Sequence, residues 1–200
     1  LEHNVKKLIV ASSMSTYGEG SYKCDDCGIV EPQLRPEEQM TKHEWELKCP
    51  DCNSILKPMP TKESKKQDIN SVYALTKKFQ EDLVLNIGKT YGIPSVALRF
   101  FNVYGPRQSL SNPYTGVAAI FISRIKNNNQ PIIFEDGNQS RDFISVHDIV
   151  NASILSMERN AANYELFNVG TGKQITIKQI ADTIARLYGR NIKPVVTNKF

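Results

Sequence analysis

Apolar positions along this chain alternate between short unbroken runs and a helical spacing. The run "LIVASS" is rich in β-branched residues and follows two lysines, which predicts a strand buried on both faces. The stretch "DINSVYALTKKFQEDLVLNIGKTYG" predicts a helix that Gly92 can end, because five apolar residues recur near a helical spacing: Val72, Leu75, Phe79, Leu83 and Leu85. "IPSVALRFFNVYG" then predicts a second buried strand that ends in a glycine turn. A strand, a helix and a strand in this order predict a βαβ unit and a parallel sheet.

The second half of the chain keeps the same alternation. "PRQSLSNPYTG" predicts a loop, "VAAIFISRIKNNN" an amphipathic helix and "PIIFEDG" a short strand. "SRDFISVHDIVNASILSMER" predicts a strand that runs into a helix. "YELFNVGTGKQITIKQIADTIARLYG" predicts a strand, a glycine turn and a final helix with Thr176 at its N-cap. The pattern is α/β throughout.

The composition predicts a globular protein, since 40% of the 200 residues are hydrophobic and 23% are charged. The net charge of +4 can attract phosphate-bearing partners of any size but is too small to choose among them. No apolar run approaches the roughly 18 residues that a membrane-spanning helix needs, and "LEHNVKKLIV" lacks the apolar core of a signal peptide. We therefore expect a cytoplasmic protein without a membrane partner.

From Gly18 to about Asp68 the α/β pattern is interrupted by two Cys-x-x-Cys pairs, in "YKCDDCGIVE" and "WELKCPDCNS". The inner cysteines are separated by 21 residues, which is within the reach of a zinc ribbon, and a glycine or an asparagine follows each pair. In a reducing compartment we expect metal binding rather than free thiols or disulfides. Four thiolates leave no open position for a substrate, so we predict a structural zinc site with four ligands: Cys24, Cys27, Cys49 and Cys52.

Cysteine pairs of this kind also occur in zinc modules that bind nucleic acids. Between Gly18 and Asp68, however, eight lysines and arginines stand against eleven aspartates and glutamates, a charge of about −3. Four thiolates around one zinc ion make this segment more negative still. Because such a charge repels a phosphate backbone, we expect no binding to nucleic acid.

Tyr73 and Lys77 stand four residues apart, which places both on one face of the predicted helix. An ammonium near a phenol favours the phenolate, the form in which a tyrosine can act as a general base. Such pairs also arise by chance on surface helices, so the pair alone is weak evidence. The serines of "ASSMSTYG" end the first strand, at the edge where open α/β sheets bind ligands. Asn102 and Arg107 follow the second strand at that edge, and Arg141 begins a later strand.

Five motifs occur in an order that makes the chain resemble the extended short-chain dehydrogenase/reductase family, which includes the nucleotide-sugar epimerases and dehydratases. They are "SSMSTYG", Tyr73-x-x-x-Lys77, "RFFNVYGPR", "RDFISVHD" and "FNVGTG". The resemblance implies an α/β fold: the C-terminal part of a Rossmann-like doubly wound parallel sheet plus a smaller α/β substrate domain, with a small zinc-ribbon-like insertion. It also implies NAD as cofactor and a nucleotide sugar as substrate.

The resemblance assigns roles to residues by position. It implies that Ser13 hydrogen-bonds the sugar hydroxyl that is oxidised, that Tyr73 removes its proton and that Lys77 holds the nicotinamide ribose. The implied cofactor-binding residues are Ser12, Tyr73, Lys77 and Phe100. The implied substrate-binding residues are Ser13, Met14, Asn102, Arg107, Phe134 and Arg141. Simple core positions remain open for Phe100 and Phe134, as does an exposed or ion-paired position for Arg107.

The resemblance also bears on the reaction. Dehydratases of the family carry an Asp-Glu pair directly after the catalytic serine or threonine, whereas this chain has Met14 and Ser15, which cannot transfer protons near neutral pH. We therefore expect a 4-epimerase, which oxidises C4, lets the keto sugar rotate and returns the hydride to the other face. With its insertion, the chain is most similar to bacterial members that act on dTDP-L-rhamnose. UDP-sugar 4-epimerases and nucleotide-sugar dehydratases remain alternatives.

The family's glycine-rich turn, which holds the NAD pyrophosphate, is not found in the chain. We therefore expect the second half of an enzyme, which binds NAD poorly and is inactive by itself. Residues 1–19 and 61–105 then form the second half of the NAD-binding domain, 20–60 the insertion and 106–200 a substrate-binding region that is incomplete at its C-terminus. The family further implies a homodimer formed through the helix at about residues 70–91.

Overall fold

The computed structural model describes residues 3–109 and 116–200, so part of the predicted loop "PRQSLSNPYTG" lies outside the described residues. The helices are α1 (Glu37–Thr41), α2 (Val72–Tyr91), α3 (Val117–Lys126), α4 (Val146–Glu158) and α5 (Ile177–Leu187). The strands are β1 (Leu8–Ser13), β2 (Ser21–Cys24), β3 (Gly28–Val30), β4 (Lys57–Met59), β5 (Ser95–Phe100), β6 (Asn102–Tyr104), β7 (Ile132–Ile133), β8 (Ser140–Ser145), β9 (Leu166–Val169), β10 (Gln174–Thr176) and β11 (Val195–Val196).

The chain divides into two compact units. The first comprises the residues up to Leu34, Leu47–Phe101 and His147–Gly170, and the second comprises Arg35–Glu46, Asn102–Val146 and Thr171–Phe200. The predicted insertion therefore contributes its middle segment to the second unit and its two ends to the first. In the described part of the chain, no helix is both long and apolar enough to span a membrane.

The first unit is built on a parallel sheet with the strand order β1-β5-β9, which confirms the predicted βαβ unit. The central strand β5 is buried from Ser95 to Arg99, and α2 packs on it so closely that a Cβ atom on Gly88 would lie 2.1 Å from Ser95 Oγ. Burial of β1 on both faces was a wrong prediction, since Ala11 is exposed and the residues before it are only half-buried. Among the described strands, β1 has a neighbour on one side only, so one of its edges stays open.

Helix α2 begins and ends as predicted. The Ser71 side chain accepts a hydrogen bond from the Ala74 N–H, and Gly92 ends the helix in the left-handed conformation. Four of the five residues of its predicted apolar face are exposed and the fifth, Leu85, is half-buried, whereas the buried positions are the small residues Ala74 and Gly88 together with Glu81. The exposed apolar residues are Val72, Leu75, Phe79 and Leu83.

The segment "IPSVALRFFNVYG" forms two strands and not the single strand that was predicted. β5 belongs to the parallel sheet, whereas β6 pairs with β8 in a second sheet of order β10-β8-β6. The backbone changes sheet at Phe101, whose N–H bonds to the Val169 carbonyl at 3.1 Å. The apolar pattern of these residues identifies extended chain but not the strand with which each part pairs.

The second unit has its core between α3 and α5. Its buried residues include Phe121, Ile125, Ile133, Ile180 and Ile184. The predicted cap of α5 is confirmed, because Thr176 and Gln179 form a reciprocal capping box. Asp148 lies in the first turn of α4, where its negative charge interacts favourably with the positive end of the helix dipole.

Candidate functional site

The predicted catalytic serine, Ser13, is the last residue of β1. Ser13 is the N-cap of the 3₁₀ turn Met14–Tyr17, and its Oγ accepts from the Ser15 N–H at 3.2 Å. The Ser13 carbonyl accepts from the Thr16 hydroxyl at 3.0 Å. These bonds hold the serine in one orientation at the edge of the parallel sheet, where α/β folds of this kind present ligand-binding groups.

The Tyr73 and Lys77 side chains meet on one face of α2, as the spacing predicts. The Lys77 ammonium lies 5.9 Å from the centroid of the Tyr73 ring, and it donates to the Ala11 carbonyl at 3.0 Å. Because Ala11 lies two residues before Ser13 on β1, this bond ties the lysine to the strand that carries the serine. Tyr73 is 56% exposed.

Three further residues with predicted cofactor or substrate roles lie around β1 and β5. Phe100 is the half-buried last residue of β5 and is the register partner of Ser13. Met14 is half-buried in the 3₁₀ turn. Ser12 is buried and donates its hydroxyl proton to Glu81 Oε2 at 2.8 Å, so its hydroxyl faces the protein interior. The binding roles assigned to these residues stay predictions.

A buried ionic network, which the sequence analysis did not predict, connects β1, α2 and β5. Arg99 on β5 donates from Nε to Glu81 Oε2 at 3.0 Å and from Nη2 to Glu81 Oε1, and the two residues are 4% and 2% exposed. Arg99 Nη1 also donates to the Tyr17 hydroxyl at 2.6 Å. The only signal in the sequence was an arginine inside an apolar strand, since a buried charge requires a partner.

The Tyr17 phenol links this network, through Asn168, to Thr61 and Glu63, which directly follow the insertion. Its O–H donates to Asn168 Oδ1 at 2.7 Å, and the Asn168 side chain donates to the Thr61 carbonyl at 2.8 Å. The Asn168 N–H donates to Glu63 Oε1 at 2.9 Å. Burial raises the pKa of Tyr17, although Arg99 opposes that shift, so the phenol stays protonated and able to donate. The residues that follow the insertion are thus bonded to Asn168 on β9, which also binds Tyr17 at the end of the 3₁₀ turn.

In the second unit, the predicted substrate-binding residues lie on or near β6, β7 and β8. Asn102 Nδ2 donates to the Asp142 carbonyl at 2.9 Å. Arg141 is exposed and donates from Nη1 to the Ser140 carbonyl, and Arg107 is exposed with a left-handed φ of 68°. The Phe134 side chain is 58% exposed, so it does not occupy a core position.

Asp142, which follows the predicted substrate-binding residue Arg141, has a structural role. Its carboxylate accepts from the N–H and the hydroxyl of Thr171 and from the N–H of Gly172. These bonds hold the glycine turn of "FNVGTG" against β8. The bonds therefore join two of the five motifs, "RDFISVHD" and "FNVGTG", and the sequence analysis did not predict this link.

The four predicted metal ligands converge in the first unit. The four sulfur atoms lie within 4.8 Å of one another, and Cys24 and Cys52 are 3.4 Å apart. The residues after the two pairs, Gly28 and Asn53, have left-handed φ angles of 82° and 62°, which confirms the predicted tight turns. β2, β3 and β4 form a small antiparallel sheet beside these turns, and Leu47, Val30 and Leu56 are buried with Cys24 and Cys49.

The electrostatics of the cysteine cluster fit a cation. Hydrogen bonds from the side chain and the backbone of Ser54 lower the pKa of Cys52 to about 6, so its thiolate forms near neutral pH. Hydrogen bonding with Cys52 and Cys49 raises the pKa of Cys27, because further negative charge among the sulfurs is unfavourable. Four sulfurs this close suit a tetrahedral ion with metal–sulfur bonds of about 2.3 Å.

Comparisons with known proteins bear on the fold and on the family. The family model described as "NAD dependent epimerase/dehydratase family" matches residues 51–170. A dTDP-L-rhamnose 4-epimerase from Burkholderia thailandensis is 35% identical over 190 residues, which cover 92% of this chain and 50% of the relative. The chain thus spans about half the length of this relative.

Two solved structures are similar over nearly the whole chain. A UDP-N-acetylglucosamine 4-epimerase from Methanobrevibacter ruminantium in complex with UDP-N-acetylmuramic acid is 33% identical with a TM-score of 0.74, over 98% of this chain and 51% of that one. A UDP-glucose 4-epimerase from Thermotoga maritima with UDP-glucose is 27% identical with a TM-score of 0.73, over 98% of this chain and 52% of that one. These matches confirm the Rossmann-like α/β fold and the resemblance that the motifs indicated.

Proposed function

Because the chain belongs to the NAD dependent epimerase/dehydratase family, we propose that it carries the catalytic tyrosine of an NAD-dependent nucleotide-sugar 4-epimerase. The observation that carries the proposal is the Lys77 ammonium, 5.9 Å from the Tyr73 ring and bonded to β1 two residues before Ser13. A base, a cation and a hydroxyl are thereby held around the end of one strand. This is the set of groups that removal of a hydroxyl proton requires.

The described residues fit a nicotinamide cofactor. An ammonium has three donors, and Lys77 uses two of them, on the Ala11 carbonyl and more weakly on Gln80 at 3.4 Å. The third donor is available for a ribose hydroxyl, and Phe100 at the end of β5 offers an apolar surface. When bound, NAD supplies a hydride acceptor that takes hydride from the sugar C4 and returns it to the other face.

The roles of the chain's own residues follow from their chemistry. Ser13 hydrogen-bonds the C4 hydroxyl and aligns it with Tyr73. The Tyr73 phenolate takes the hydroxyl proton as the C4–H bond breaks, and it gives the proton back when hydride returns. Lys77 stabilises the phenolate through its positive charge. Met14 and Ser15 offer no carboxylate for water elimination, which favours epimerisation over dehydration.

We propose dTDP-L-rhamnose as the substrate, supported by the match to the Burkholderia relative over 92% of the chain. A UDP-sugar is the second candidate, supported by the likeness to two UDP-sugar 4-epimerases. The exposed Arg141 guanidinium is suited to bind the diphosphate that either substrate carries. In both cases the exposed Phe134 ring is suited to stack on the base.

The test uses the whole protein that carries these 200 residues, incubated with NAD and separately with dTDP-L-rhamnose, UDP-glucose and UDP-glucuronate. Proton NMR of the anomeric region follows the formation of the C4 epimer. We expect interconversion of dTDP-L-rhamnose and its C4 epimer. Conversion of a UDP-sugar alone would replace the substrate assignment, and a keto-deoxy product would contradict epimerisation.

We also propose that the cysteine cluster binds one structural zinc ion. Replacing Cys27 with serine should abolish stoichiometric zinc. It should also loosen the small β2-β3-β4 sheet, because the segments that carry the two cysteine pairs otherwise share only a small buried core. Zinc is measured by elemental analysis of the purified protein, and Ser64→Ala, just after the insertion, serves as the control. A full complement of zinc in Cys27→Ser would contradict this assignment.

The exposed apolar face of α2 is proposed as the contact between two copies of the chain in the whole protein. Val72, Leu75, Phe79 and Leu83 lie on a different side of the helix from Tyr73 and Lys77, so a dimer through this face leaves the catalytic pair open. Phe79→Lys should therefore shift sedimentation towards a monomer, whereas Tyr91→Lys should not, because Tyr91 is exposed on the side of the helix that carries Tyr73. A dimer that survives Phe79→Lys together with Leu75→Lys would contradict the proposal.

A further inference from the structure

A two-point ion pair links the middle segment of the insertion to the residues that follow β7, within the second unit. Arg35 Nη1 and Nη2 donate to the two carboxylate oxygens of Glu135, each at 2.8 Å. The two side chains are 19% and 14% exposed. Arg35 Nη1 also donates to the Trp45 carbonyl at 2.8 Å. Paired geometry and partial burial make this the type of ion pair that holds its partners in place.

Glu135 occupies a backbone conformation that residues with a side chain rarely adopt. Its φ angle is 55°, in the left-handed region that favours glycine. Its N–H donates to the Lys199 carbonyl at 2.8 Å, and its own carbonyl accepts from the Asn198 N–H at 3.1 Å. A glutamate at such a position is unfavourable locally, so the bonds of its side chain to Arg35 compensate for the conformation.

Phe134 directly precedes this strained position. Its side chain is 58% exposed, while its carbonyl accepts from Gln139 Nε2 at 3.0 Å. The direction of the ring depends on the backbone turn at Glu135, because the turn determines how the chain leaves β7. An exposed aromatic ring on a fixed backbone is suited to stack on a flat, partly apolar group such as a nucleobase.

We propose that Arg35 is a positioning residue for nucleotide binding: it holds Glu135 in the left-handed conformation and thereby sets the Phe134 ring that stacks on the base. The inference rests on the proposed nucleotide-sugar substrate and extends it to the insertion. The insertion then contributes to the affinity for the nucleotide part of the substrate, besides carrying the cysteine cluster. Arg35 itself touches no reacting atom.

The first experiment measures the binding of dTDP and UDP to the whole protein by calorimetry. Arg35→Gln should weaken the nucleoside diphosphate by about tenfold, since the turn then relaxes. It should raise KM for the nucleotide sugar while leaving kcat and the zinc content unchanged. The double variant Arg35→Glu with Glu135→Arg should recover most of the affinity, because it restores the pair with reversed charges.

The matched control lies in the same segment. Lys42→Gln removes the exposed Lys42–Glu38 pair of α1, whose side chains are 60% and 81% exposed, and it should change neither affinity nor KM. The second experiment is a double-mutant cycle with Phe134→Leu. Arg35→Gln should have little further effect in the Phe134→Leu background, because the ring through which it acts is gone.

Two results would overturn the inference. One is an Arg35→Gln protein with a lowered melting temperature and unchanged affinity for nucleoside diphosphates, which would make the pair purely structural. The other is strict additivity with Phe134→Leu. If the unmodified protein binds neither dTDP nor UDP nor any nucleotide sugar, the proposed function fails first, so the two failures are distinguishable.

Discussion

Replacing Arg99 with methionine is expected to lower the free energy of unfolding by about 3–5 kcal/mol, because it leaves the Glu81 carboxylate buried without its partner. Glu81 is 2% exposed and takes two bonds from Arg99, so water cannot replace the guanidinium without opening the core. Tyr17 loses its contact with the cation at the same time. Urea unfolding at neutral pH, followed by circular dichroism, measures the loss.

Two further variants identify the cause of that loss. Lys57→Met removes the exposed pair between Lys57 and Asp25 and should leave the unfolding midpoint unchanged. Arg99→Met combined with Glu81→Leu should be more stable than Arg99→Met alone, since no charge then remains buried. An Arg99→Met protein as stable as the Lys57→Met control would show that the buried pair contributes nothing.

Replacing Tyr73 with phenylalanine in the whole protein is expected to lower kcat by about 10²–10⁴-fold, the usual contribution of a positioned general base. The phenol oxygen is the only atom removed, and the exposed ring keeps its place over Lys77, so the affinity for the nucleotide sugar should be preserved. Turnover is followed by NMR and binding by calorimetry.

Tyr91→Phe provides a matched control for this prediction. It is the same substitution at the other end of the same helix, on a side chain that is 62% exposed and far along the helix from Lys77. Its kcat should equal that of the unmodified protein. Normal turnover in Tyr73→Phe would mean that another group removes the proton, and equal losses in both variants would indicate damage to α2.

Much of the fold could be predicted because neighbouring residues encode it. Gly92 and Thr176 end and begin helices as their side chains suggest, and Gly28 and Asn53 adopt the left-handed turns that follow each cysteine pair. The Tyr73–Lys77 contact follows from helical geometry alone. Each of these features depends on residues at most a few positions apart.

Predictions that required a choice of partner were less successful. The run of apolar residues from Ser95 to Tyr104 indicated extended chain, but pairing with β9 on one side and with β8 on the other divides it into β5 and β6. Four of the five residues of the predicted apolar face of α2 share an exposed face and Leu85 does not, and the sequence could not show that this face is exposed among the described residues. The periodicity reports which residues share a face and not what covers it.

By itself, the sequence determined the α/β alternation, the turns around the cysteines and the spacing of the tyrosine and the lysine, since short-range geometry decides all three. Only the tertiary structure decided that Arg99 pairs with Glu81, 18 positions away, and Arg35 with Glu135, 100 positions away. A charged side chain has many candidate partners along a chain. The one it takes is determined by which groups folding removes from water together, because there an unpaired charge is most unfavourable.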